Sequence, residues 1–193
     1  MPDAKRQPSA ADSPPKGEAC DAGRALLIGY GNPGRLDDGL GPALAAEIEK
    51  LAISGVTVES NYQLTVEDAA AVAECDVVIF ADASVDGAEP FFIAPVEPRT
   101  EVSFSSHSVA PAAVLGLARD LFGRRPAAYA VGVRGYEFDE FGERLSPKAR
   151  QNLRAAVEGV ATLLSGERFR RGLVDPTAGT CAKEDVTCKT ANI

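Results

Sequence analysis

The sequence predicts an α/β protein, a three-layer α/β/α sandwich built on a mostly parallel twisted sheet of about five strands. Three observations predict it. Short apolar runs alternate with stretches whose apolar residues recur at helical spacing. Asp76-Val77-Val78-Ile79-Phe80-Ala81 is apolar on both faces, as suits a central parallel strand covered by helices on each side. The first run, Ala25-Leu26-Leu27-Ile28, passes through the glycine-rich stretch Gly29 to Gly34 into Leu40, Leu44, Ile48 and Leu51 at helical spacing.

The remaining elements follow in order. Gly55 precedes a short strand, Val56 to Glu59. Thr65 then opens an Ala-rich helix as its cap, with Asp68 answering in a box-like arrangement. The Asp76 to Ala81 strand ends at Asp82. Phe91 to Val96 is a further strand, and Pro95 places it at an edge or at its own end, with the pairing direction left open. Ser108 is a cap for a helix from Val109 to Phe122, with Pro111 in the first turn and Gly123 as the stop. A strand from Ala127 to Val133 and a helix from Ser146-Pro147 to Gly166 complete the core.

The 193 residues, 45% hydrophobic and 25% charged, suit one soluble domain over 24–166 between flexible tails at 1–23 and 167–193. Those tails carry no apolar period. A formal charge of −8 disfavours nucleic acid and anionic lipid as partners. No run of 18 apolar residues occurs, and the polar, Pro-rich start lacks a signal-peptide core, so the expected location is the cytoplasm with no membrane partner. The cysteines at 20, 75, 181 and 188 form no CxxC pair and indicate neither a disulfide framework nor a thiolate zinc site.

In an open α/β sheet the site lies beyond the carboxyl ends of the strands, and here acids emerge there. Asp37 and Asp38 follow the first strand, Asp82 follows the third, and His107, the single histidine, precedes the third helix. Asp38, Asp82 and His107 offer two hard oxygens and one imidazole, a set for a first-row divalent metal with open positions. Each also has a plainer reading, as helix-dipole complement, turn former or cap. Asp38 and Asp82 could instead share a proton as an aspartic dyad. Ser105, Ser106 and Ser108 flank His107, but no GxSxG elbow marks a nucleophile. Gly29 to Gly34 fits GxGxxG, and Glu59 stands where a ribose-binding acid would, so a nucleotide-binding oxidoreductase stays as an alternative. Against it, Asp37 and Asp38 would repel a pyrophosphate at that helix start.

Three segments together resemble the hydrogenase maturation endopeptidases, which trim the C-terminus of nickel-iron hydrogenase large-subunit precursors. They are Gly29-Tyr30-Gly31-Asn32-Pro33-Gly34-Arg35-Leu36-Asp37-Asp38-Gly39-Leu40-Gly41, Phe80-Ala81-Asp82-Ala83 and Ser106-His107-Ser108. The resemblance covers about residues 24 to 165, and it implies a hydrolase of the α/β/α class acting on such a precursor once nickel is inserted. It also implies that Asp38, Asp82 and His107 are the metal-contacting and catalytic residues. The implied metal is nickel, borrowed from the precursor or held by the protein itself, with other divalent metals as substitutes in vitro. A noncatalytic nickel-dependent chaperone is the third reading. Around that triad, Gly31, Asn32, Asp37 and Gly39 are the loop and substrate-side residues. Glycines permit the tight turn and the slim helix start, Asn32 fastens the loop, and Asp37 orients it, relays a proton or complements the helix dipole. The stretches Val85 to Pro90 and Gly135 to Arg144 are candidate groove walls, and Tyr136, Phe138 and Phe141 either contact the partner or cover the edge of the core.

Overall fold

Six consecutive buried residues form β1 (Ala25–Tyr30), and a strand with no polar face belongs in the middle of the sheet. The computed structural model describes residues 23–99 and 109–177. After β1 come a 3-10 turn (Leu36–Gly39), α1 (Leu40–Lys50), β2 (Val56–Asn61), α2 (Asp68–Ala73), β3 (Val77–Ser84) and β4 (Phe91–Pro95). Then follow α3 (Pro111–Phe122), β5 (Ala127–Arg134), α4 (Pro147–Ser165) and α5 (Glu167–Arg170). The strand order is β2-β1-β3-β5-β4. β2, β1, β3 and β5 run parallel, and β4 lies antiparallel on β5 at the edge, where Pro95 lacks no ladder partner it needs. This is the three-layer α/β/α architecture expected.

Two apolar clusters lie on opposite faces of the sheet. Leu27, Ile79 and Ala81 meet α1 and α4 through Leu40, Leu44, Ile48, Ala156 and Val160. Leu26, Ile28, Tyr30, Val78 and Phe80 meet α2 and α3 through Val72, Val114 and Ala118. The alternation is the two-residue period of a strand. Each fully buried Leu, Ile or Phe stabilises the fold by about 1.5–3 kcal/mol.

Gly41 is where α1 comes closest to the sheet. A Cβ there would run into the carbonyl oxygens of Tyr30 and Ala81, both backbone atoms that cannot step aside. Gly41→Ala is expected to destabilise the protein by about 3 kcal/mol, read from urea unfolding. A change below 0.5 kcal/mol would mean that the helix start can lift without loss.

Local chemistry sets the helix ends. Ser146 caps α4 by accepting from the Ala149 N–H at 3.2 Å, with Pro147 in the first turn. Gly123 ends α3 at φ 66°, its N–H donating to Arg119 O and that of Arg124 to Ala118 O. Several expected boundaries shift. β3 does not end at Asp82 but continues to Ser84, because β5 keeps pairing with it as far as Arg134. α2 begins at Asp68, whose carboxylate accepts from the Thr65 N–H at 2.7 Å as the returning half of the expected box. α3 begins at Pro111 after Ala110, and Ser108 lies outside the described residues.

The C-terminal boundary expected at residue 166 also moves. Phe169 of α5 is buried, its ring centroid 5.6 Å from that of Tyr129. Arg170 is buried too and donates to the Leu164 carbonyl at 2.6 Å. Apolar anchorage of this kind makes residues 167–170 part of the body. Among the described residues no helix is long and apolar enough to cross a membrane.

Candidate active site

The crevice at the carboxyl ends of β1 and β3 is a consequence of the winding. The chain leaves β1 through α1 on one face to reach β2, then returns through α2 on the other face to β3 on the far side of β1. Segments leaving two adjacent strands therefore diverge, and a cleft opens between them. Asp38 enters it from the turn after β1, and Asp82 from β3 itself.

The turn is folded around the Asp38 carboxylate. Its Oδ2 accepts from the Asn32 N–H at 2.9 Å, while Asn32 Oδ1 accepts from the Gly34 N–H at 2.9 Å. The Arg35 N–H donates to Asn32 O at 3.0 Å and the Asp38 N–H to Arg35 O at 3.1 Å. Asn32 thus fastens the loop as expected. Gly31 sits at φ 136°, and a Cβ there would strike the Asp38 carbonyl oxygen, so only glycine serves. Gly39 lies under Pro33, where a Cβ would come within 2.9 Å of Pro33 Cα.

The same bonds remove the support for a nucleotide. A phosphate cradle needs free backbone N–H groups at the helix start. Here those of Asn32, Gly34, Arg35 and Asp38 already have acceptors within the loop. Glu59 stands within β2 opposite Ile28, half-buried, its carboxyl raised above the usual range by burial and by the charge of Asp68.

Asp37 and Asp38 are neighbours in sequence with opposite fates. Asp37 is fully buried and turned away from the cleft. Its carboxylate accepts from the N–H groups of Tyr136 at 2.8 Å, Glu137 at 3.0 Å and Ser146 at 2.7 Å, and from the Ser146 hydroxyl at 2.8 Å. Burial alone would raise its pKa, but these four bonds outweigh it and hold the group below the usual carboxylate value. Of the roles expected for Asp37, the bonds support orientation of the loop. Leu36, just before it, is held at φ 52°, in the left-handed region that a leucine enters only when its surroundings compel it. The compulsion is visible. The Leu36 N–H donates to Gly142 O at 2.9 Å and the Asp37 N–H to Glu137 O at 3.0 Å.

Asp82 is half-buried, and its Oδ1 accepts from the Ala83 N–H at 2.7 Å. Burial, reinforced by the negative charge of Asp38, pushes its pKa up to about 7, against hydrogen bonds from Ala83 N–H and the Tyr30 hydroxyl that favour the anion. The structure therefore brings Asp38 and Asp82 together. No described residue forms an ion pair with either. His107 lies outside the described residues, as do Ser105 and Ser106. Among the described residues no group of three His, Cys, Asp or Glu side chains is placed to hold a metal ion.

Two contributors escape a sequence reading. Tyr30 reaches Asp82 because β1 and β3 pair with Ile28 opposite Phe80, so the next residues on that face are Tyr30 and Asp82. The signal was the strand period, usable only once the register was known. Ser146 is legible as a cap but not as the partner of Asp37, 109 positions away.

Cys75 is buried, its thiol donating to Val72 O at 3.1 Å and pushed up to about 12 by burial and the adjacent Asp76 charge. Peptide mapping after alkylation at pH 8 is expected to find Cys75 unlabelled in the folded protein and labelled in urea. Labelling at equal rates in both would contradict its burial.

No family model matches the sequence, and no curated protein does. Solved structures do. The NiFe hydrogenase maturation protease HycI from Thermococcus kodakarensis is 23% identical over 74% of this chain and 93% of its own, with a TM-score of 0.59. The hydrogenase maturating endopeptidase HybD from E. coli is 24% identical over 71% of this chain and 89% of its own, at 0.53. An endopeptidase from Escherichia coli solved in solution is 24% identical over 74% and 94%, at 0.56. At these identities the likeness is one of fold, and this chain has the fold of those proteins.

Proposed function

We propose that this chain is a hydrogenase maturation endopeptidase, which removes the C-terminal extension of a nickel-iron hydrogenase large-subunit precursor after nickel insertion. The observation that carries the reading is that the turn bearing Asp38 and the strand bearing Asp82 meet at the cleft between β1 and β3. It occurs in a fold shared with proteins named as hydrogenase maturation proteases. Two of the three motif segments of the sequence resemblance, Gly29 to Gly41 and Phe80 to Ala83, meet at that cleft.

Asp38 and Asp82, with His107, are the donors that would contact nickel carried by the precursor. Their chemistry suits a cation. Among the described residues no cation pairs with either carboxylate, and a divalent ion would offset both the desolvation of Asp82 and the repulsion it feels from Asp38. His107 stands two positions before Val109, which packs against the cluster holding Tyr30 and Phe80, on the face from which Asp82 projects. When bound, the metal would polarise the scissile carbonyl or acidify a water.

The chain's own residues have separable tasks. Asp82, with a pKa near 7, can hold or release a proton at working pH, and the Tyr30 hydroxyl orients it. Asn32 aims Asp38 through its N–H. Asp37 locks the turn that carries both.

The test is the intact mass of a candidate precursor after incubation with the protein, nickel-loaded and nickel-free in parallel. Loss of a C-terminal peptide from the loaded form alone is expected. Cleavage of both forms equally would favour the aspartic dyad, which the raised Asp82 pKa also suits. Binding without cleavage would point to a chaperone.

A further inference from the structure

We propose that the segment joining β5 to α4, with Phe141 at its tip, is the surface on which the protein substrate docks, through an apolar pocket on the substrate rimmed by Lys or Arg. This rests on the reading that the chain acts on a hydrogenase precursor. Phe141 is 88% exposed, yet the backbone beside it is fixed. The Gly142 N–H donates to Gly34 O at 2.9 Å and Gly142 O accepts from Leu36 at 2.9 Å, while the Arg35 guanidinium donates to Phe138 O at 3.3 Å. The ring is thus held in water on a backbone tied to the turn that carries Asp38. An anchor already ordered loses little freedom on binding, and aromatic residues inserted into partner pockets carry a large share of interface energy.

The structure separates the three aromatics that sequence could not. Phe138 is half-buried and folds back on Gly135, and Tyr136 packs on the core with Lys148 4.6 Å from its ring centroid. Phe141 alone of the three is left to a partner.

Charge specifies the partner's rim. Between Glu137 and Arg144 stand four acids, Glu137, Asp139, Glu140 and Glu143, and the single base Arg144. Arg144 pairs with Glu137 at 3.2 Å and Glu140 at 3.7 Å. Asp139 and Glu143 are exposed and make no ion pair among the described residues. An acidic rim around an aromatic tip steers a basic surface towards it. Because β2, β3 and β5 are parallel, the exposed Tyr62, Val85 and Phe141 all follow strand ends on the edge that carries Asp38 and Asp82. Dock and cleft therefore face one partner together.

The test measures the Kd of nickel-loaded precursor for the protein in an Asp82→Asn background, where a complex persists uncut. Phe141→Ser is expected to raise Kd at least tenfold without lowering the melting temperature, and Glu143→Lys to raise it in a salt-dependent way. Leu121→Ser, 68% exposed at the far end of α3 on the opposite edge, should leave Kd unchanged. If the parent chain cuts the precursor but Phe141→Ser binds as tightly as Leu121→Ser, the docking surface is overturned and the proposed function stands. If the parent neither binds nor cuts any loaded precursor, the proposed function falls and the docking surface with it.

Discussion

Asp82→Asn is expected to stop precursor processing, by at least about a hundredfold, while making the protein more stable at pH 8. The two effects have one cause. Asp82 sits half-buried beside Asp38, and its pKa rises from 3.8 to about 7 on folding. Below pH 4 the group is protonated in both the folded and the unfolded chain. Between 4 and 7 the unfolded chain releases the proton and the folded one keeps it, so folding stability falls as pH rises through that window and levels off above 7. Asparagine has no proton to lose. After allowance for the group's partial exposure, the variant's advantage should grow from near zero at pH 4 to about 2 kcal/mol at pH 8. Urea unfolding at the two pH values reads it. A variant less stable than the parent at pH 8 would overturn the account of the cleft as a strained pair of acids.

Asp37→Ala should act in the opposite direction, costing about 3–5 kcal/mol. Removal of the carboxylate leaves the N–H groups of Tyr136, Glu137 and Ser146 and the Ser146 hydroxyl without their acceptor inside the protein. It also loosens the segment whose backbone bonds to Leu36 and Asp37 hold Leu36 at φ 52°. The pH dependence is of the opposite sign as well. Because the folded pKa is lowered, the stabilisation from Asp37 is complete above about pH 4 and is lost as pH falls through the lowered folded value. Asp37→Asn keeps one acceptor oxygen but turns an NH2 towards N–H donors, so an intermediate loss is expected. Hydrogen exchange at the Tyr136, Glu137 and Ser146 amides locates the effect. A loss under 1 kcal/mol for Asp37→Ala would show that the β5–α4 segment is held by its other bonds alone.

The contrast between these adjacent acids shows where a sequence reading stops. Asp37-Asp38 is a visible acidic pair, and its place before a helix is visible too. Which of the two points inward is not. That choice follows from Leu36 at φ 52° and from the groups of Tyr136, Glu137 and Ser146, about 100 positions away. Likewise, Asp82 reads as the end of a strand because the apolar run ends at Ala81. The ladder continues because its bonds are made by backbone, which does not depend on polarity. The α4 helix, by contrast, is legible near both ends, since a Ser-Pro start and a Gly stop are local signals.

What the sequence determined by itself is whatever local physics controls: the alternation of strands and helices, the two-faced central strand, the glycines without which the β1–α1 turn cannot close, and the acids in the loops. Tertiary structure alone decided the rest. It set Asp38 beside Asp82, turned Asp37 into a buried anchor, delivered Tyr30 to the cleft and left Phe141 in water. Each of these depends on strand register and crossover direction, which bring distant residues within a few ångströms, and the strength of an electrostatic or hydrogen-bonded pair is set by that separation and by burial.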